Sequence, residues 1–98
     1  MVVLRYEAWR FSDHLAFQLA GREADAFNIR VSGPGELSYV VHTTTYEAAM
    51  QVHYDRQGWG TYQPMLERAD AHTASQLARQ LAEYPEDADL RRLNGVSA

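Results

Sequence analysis

The chain has 98 residues, 46% of them apolar, and a formal net charge of −4, which suits one domain (1–98) built on one core. An acidic balance argues against non-specific phosphate binding. The absence of cysteine excludes disulfides and thiolate metal sites, and the nine basic residues are all arginine, which excludes lysine chemistry such as Schiff bases.

The amino terminus, MVVLRYEAWRF, gains charge at Arg5 and Glu7, unlike a signal peptide. No apolar run approaches the ~20 residues of a membrane span, so the expectation is a cytoplasmic protein with no membrane partner. Residues 2–11 read as a strand with Val2, Leu4, Tyr6 and Ala8 on one face and Val3, Arg5, Glu7, Trp9 and Phe11 on the other. Ser12-Asp13 is a turn. The following HLAFQLAG alternates Leu15, Phe17 and Leu19 with smaller or polar residues, which favours a second strand and a hairpin. A helix over residues 13–24 with Ser12 as cap is the alternative, supported by its alanines.

Phe27, Ile29 and Val31 alternate with Asn28, Arg30 and Ser32, the pattern of a third strand. Ser32-Gly33-Pro34-Gly35 is turn punctuation, and Leu37–His42 is expected to return as a fourth strand paired with the third. Thr44 can cap a helix over about 45–57, with Glu47 completing a capping box. Its Tyr46, Ala49, Met50, His53 and Tyr54 form one face, and Gly58 is placed to end it in a left-handed conformation. A second helix is expected over 64–84, opened by Pro64 and striped by Leu66, Ala69, Thr73, Leu77, Leu81 and Tyr84. Pro85 stops it. A short helix follows at 86–93, with Glu86, Asp87 and Asp89 as a solvated cluster matching its dipole. The fold expected is α+β: a small antiparallel β-meander of about four strands (sheet region 2–43) packed against two C-terminal α-helices.

No pattern specifies catalysis. His14, His42, His53 and His72 show no i, i+4 ligand pair, no serine sits in a nucleophile elbow, and Gly33-Pro34-Gly35 leads into no phosphate-binding helix. No cofactor, metal or catalytic residue is therefore expected. The segment Gly58-Trp59-Gly60-Thr61-Tyr62-Gln63-Pro64 carries two large aromatics between turn residues, the type of side chain that anchors interfaces. The first functional reading is a small non-enzymatic protein-interaction or accessory module that contacts its partner through Trp59, Tyr62, Arg56 and Tyr54 or through a sheet edge. The competing reading of the aromatics is that Trp59 and Tyr62 fold back and plug the seam between helices and sheet. Homodimerisation fits two long apolar stripes on so small a domain. The alternatives are a nucleic-acid-associated domain using Arg5 and Arg30 on one sheet face, disfavoured by the missing basic excess, and a small-ligand or enzymatic pocket lined by His53, Tyr46 and Tyr54.

The portion Phe27 to Tyr62, a β-meander leading into a threonine-led helix, resembles the three-strand-plus-helix amino-terminal arm domain of tyrosine recombinases. It is also similar to the WGR domain, in which a sheet is followed by a helix ending near a Gly-Tyr pair. The Trp-Gly-Arg motif itself is absent, since Trp59-Gly60 is followed by Thr61 and lies after the helix. The basic character of a recombinase arm is absent too. The resemblance implies fold alone and carries no residue role.

Overall fold

The computed structural model describes residues 1–63 and 72–96. In chain order these form β1 (Leu4–Arg10), β2 (Leu15–Leu19), α1 (Arg22–Ser32), β3 (Glu36–Thr43), α2 (Tyr46–Gln57), α3 (Ala74–Glu83) and α4 (Ala88–Leu93). The class is α+β, with a three-stranded antiparallel sheet in the order β2-β1-β3.

The β1–β2 hairpin forms as its alternation predicts, with Ala8 opposite Phe17 and Tyr6 opposite Leu19. β3 lies on the other side of β1, with Tyr6 opposite Val41 and a bulge at Ala8/Trp9 that leaves Ser38 unpaired. One sheet face carries the core of Leu4, Tyr6 and Val41, closed by Ala49 of α2, with Phe17, Tyr39, Tyr46, Val52 and Leu77 around it. The opposite face presents Arg5, Glu7 and His42, and these polar groups decide what can cover it.

The expected third strand is a helix. Phe27, Ile29 and Val31 belong to α1, and β3 pairs with β1 instead of with them. The alternation misleads because α1 is turned inside out: its sheet-facing positions are Asp25, Asn28 and Ser32, at helical spacing, while Phe27, Ile29 and Val31 are 53%, 45% and 67% exposed. Asn28 donates to Gln18 on β2 at 2.7 Å, so the inward contacts are polar. Gly21 at the helix start supplies no side-chain cap. The Arg22 N–H donates to the Glu83 carboxylate of α3 at 3.1 Å, a cap delivered across the fold. Gly33 ends α1 at φ 82°, its N–H donating to the Ile29 carbonyl. Gly35 is required for a different reason: a Cβ there would run into the ring of Phe11.

α2 forms as expected, but Thr45 caps it, its hydroxyl accepting from the Ala48 N–H at 3.1 Å. The expected helix over 64–84 begins later, since Thr73 is extended and acts as N-cap with a complete capping box to Gln76. Pro64 and the rest of 64–71 lie outside the described residues. The chain turns at Pro85, and Asp87 caps α4 by accepting from the Leu90 N–H.

The C-terminal helices are tied to the sheet by two amide side chains. β1 extends beyond the end of β2, and the backbone groups of its Arg5 and of the preceding Val3 face the side that β2 has vacated. Gln80 accepts from the Arg5 N–H at 2.8 Å and donates to the Arg5 and Ala20 carbonyls at 3.0 Å. Asn94 likewise accepts from the Val3 N–H at 2.8 Å and donates to its carbonyl at 2.9 Å. Each amide takes the place of a missing strand residue and pairs the Val3 and Arg5 N–H groups, while the Arg5 carbonyl also accepts from the Ala20 N–H.

Candidate functional site

Two clusters of side chains stand out, one buried and one reaching the surface. The buried cluster fills the charged sheet face. Arg5 donates to Glu7 from Nε and Nη2 at 3.1 and 2.9 Å and to Asp87 from Nη1 at 2.9 Å. His42 Nε2 lies 2.9 Å from the same Asp87 oxygen. Trp9 Nε1 donates to Glu7, and the Tyr84 hydroxyl donates to Asp25 at 3.2 Å. Arg5 and Arg22 stand over the Tyr84 ring at 4.5 and 4.2 Å, one guanidinium buried and one exposed.

Burial sets the ionisation of this cluster. The Asp25 carboxyl is pushed up to about 6, first by burial and then by the neighbouring Glu7 carboxyl. Burial also raises the Tyr84 hydroxyl, with Glu7 adding to it. For Asp87, burial works upward, but hydrogen bonds from His42 and Arg5 outweigh it and hold the carboxyl below its ordinary value. Asp87 was expected in a solvated cluster and is 8% exposed; its partner Arg5 lies 82 residues away, beyond any local reading. The cluster is an anchor for α1 and the α3–α4 turn. Its members are satisfied by one another and Glu7 is 1% exposed.

The second cluster is the end of α2, where the residues singled out in the sequence lie. Gly58 is left-handed at φ 70° and ψ 30°. Its N–H donates to the Asp55 carbonyl, and the Trp59 N–H reaches the Tyr54 carbonyl at 3.0 Å, a Schellman closure. Gln51 then pins the following loop to the helix, donating to the Gly60 carbonyl at 3.2 Å and accepting from the Tyr62 N–H at 2.9 Å. Trp59 meets Tyr54 and His53 edge-on, each at 5.3 Å between ring centroids, and Tyr54 meets Tyr62 at 5.2 Å.

Trp59, Tyr54 and Tyr62 therefore converge, whereas Arg56 is placed 4.6 Å over the Tyr39 ring. Beneath them the aromatic packing continues into the core: His53 stacks on Phe17 at 4.3 Å, and Phe17 on Tyr6 at 5.8 Å. His53 is buried, hydrogen-bonded to the Tyr39 hydroxyl, and burial lowers its pKa. It serves as core packing here, as its place on the inner stripe of α2 suggests. Trp59 is 58% exposed while its ring stands perpendicular to those of His53 and Tyr54.

Arg5 and Arg30 do not share a sheet face. Arg5 is buried in ion pairs and Arg30 lies on α1, over the Phe27 ring at 5.6 Å. Among the described residues no group of three His, Asp or Glu side chains is placed to hold a metal ion, and no helix is long and apolar enough to cross a membrane.

Comparison of the chain with family models, with curated proteins and with solved structures finds no match. The likeness drawn over Phe27–Tyr62 fails on the fold itself, because Phe27–Ser32 is helical and the order of elements is not a meander leading into a helix.

Proposed function

We propose that this chain is a non-enzymatic protein-interaction module whose contact surface is the end of α2, centred on Trp59 with Tyr54, Tyr62 and Arg56. The observation that carries this reading is an exposed indole packed against two neighbouring rings at a closed helix end. Its backbone takes part in the helix closure, its loop is hydrogen-bonded to Gln51, and its ring contacts those of His53 and Tyr54. A side chain already packed in its bound position has less conformational freedom to lose, which lowers one of the costs of binding. The chemistry offered is a flat apolar ring and, on the last turn of the same helix, an exposed guanidinium. It suits an apolar pocket on a partner protein with a carboxylate in reach of Arg56.

The test is capture from native lysate with wild-type protein and with Trp59→Ala, followed by binding measurements on the purified partner. A partner should be retained by wild type and weakened at least about 30-fold by Trp59→Ala, the loss typical of an interface hot spot. Equal recovery by both proteins, or recovery of nucleic acid alone, overturns the reading.

A further inference from the structure

The apolar, outward side of α1 borders a groove of about 700 Å³ that α1 forms with α3 and the end of β2. From α1 the lining includes Glu23, Ala26, Phe27 and Arg30. These four stand at i, i+3, i+4 and i+7, one stripe along the helix. The stripe has a symmetry of its own. An antiparallel copy laid against it, about a twofold axis passing between positions 26 and 27, sets Glu23 opposite Arg30 and Ala26 opposite Phe27, on both sides of the axis. Opposite charges meet at each end, and the large ring meets the small side chain in the middle.

The geometry points to a second copy of this chain as the occupant of this face, joined α1 to α1 in an isologous dimer. Charge and size on the stripe are complementary to themselves in that one orientation. Both end charges are free to engage. Arg30 has no carboxylate partner among the described residues, and Glu23 is held only by a surface ion pair to Arg79 at 3.3 Å, an interaction of little strength. Phe27 of each copy would enter the other's groove beside Leu19, which is 37% exposed. The exposure of Phe27 then has a cause: Asp25 and Asn28 turn inward on the polar side of α1, and Phe27 on the other side packs on the second copy.

The full chain is studied by sedimentation equilibrium from low micromolar to near-millimolar concentration, with circular dichroism to confirm folding. Wild type should dimerise. Glu23→Arg and Arg30→Glu should each weaken the dimer at least about tenfold, because each sets like charges opposite one another. Mixing these two variants should restore association, as a heterodimer in which every facing pair is again opposite in sign. Phe27→Asp should abolish association, and Trp59→Ala should leave it intact, which separates this surface from the end of α2. A monomeric wild type, unchanged single variants, a mixture that stays monomeric, or loss on Trp59→Ala would each overturn the assignment.

Discussion

Replacing Asp25 with asparagine should stabilise the protein at neutral pH and do nothing for it in acid. The Asp25 carboxyl rises from 3.8 to about 6 in the fold, by burial first and Glu7 second. A carboxyl whose folded pKa exceeds its unfolded one binds more protons in the native state between those two values. Stability is therefore full below the lower value and falls as pH climbs to the higher one. At about 1.4 kcal/mol per pH unit, the rise from 3.8 to about 6 amounts to about 3 kcal/mol. The replacement amide carries no charge to bury. Its carbonyl can accept from the Tyr84 hydroxyl, as the carboxylate does at 3.2 Å, and its NH2 group can donate to Glu7. Asp25→Asn should then exceed wild type by about 1–3 kcal/mol at about pH 8, the gap closing by about pH 4. Urea denaturation of both proteins across this range measures it. Comparing the two cancels Asp87, whose lowered pKa acts in the opposite sense. If the two proteins show the same pH dependence, or if Asp25→Asn is the weaker at about pH 8, the account of the buried carboxyl pair is wrong.

Gln80→Met keeps the volume of a buried side chain but leaves the Arg5 N–H and the Ala20 carbonyl without their amide partner. A loss of about 2–4 kcal/mol is expected from the missing bonds and the stranded donor, seen in thermal or urea unfolding, and a change under about 0.5 kcal/mol would refute the role given to it. Thr45→Ala should cost about 1 kcal/mol as the loss of a helix cap, whereas Thr44→Ala should fall within about 0.5 kcal/mol of wild type. The reverse ranking in denaturation would restore Thr44 as the cap.

Much of the sheet and of α2 was legible locally. The alternation of Leu4, Tyr6 and Ala8 against Arg5, Glu7 and Trp9 marks β1, and the stripe from Tyr46 to Tyr54 with Gly58 behind it marks α2 and its end. The surface aromatics were legible too, as residue types at a helix stop, though not as a cluster pinned by Gln51. Two further signals are present in the sequence but weaker than their competitors. Thr73 with Gln76 three residues on is a capping-box pattern, and Gly33-Pro34 after an alanine-rich stretch with acidic residues first is a helix stop. They lose to stronger periodic signals, the long stripe over 64–84 and the alternation at Phe27, Ile29 and Val31.

The sequence by itself determined the elements whose apolar residues point inward, since for these the local period and the direction of burial agree. Only the tertiary structure decided α1, the partner of β3 and the burial of Asp87. Those three depend on the charged face of β1. Arg5 needs a second carboxylate beside Glu7, found in Asp87, and Tyr84 beneath the Arg5 guanidinium gives its hydroxyl to Asp25, residues far from β1 along the chain. Meeting that need turns the polar side of α1 inward and its phenylalanine, isoleucine and valine out, a choice that no window of neighbouring residues contains.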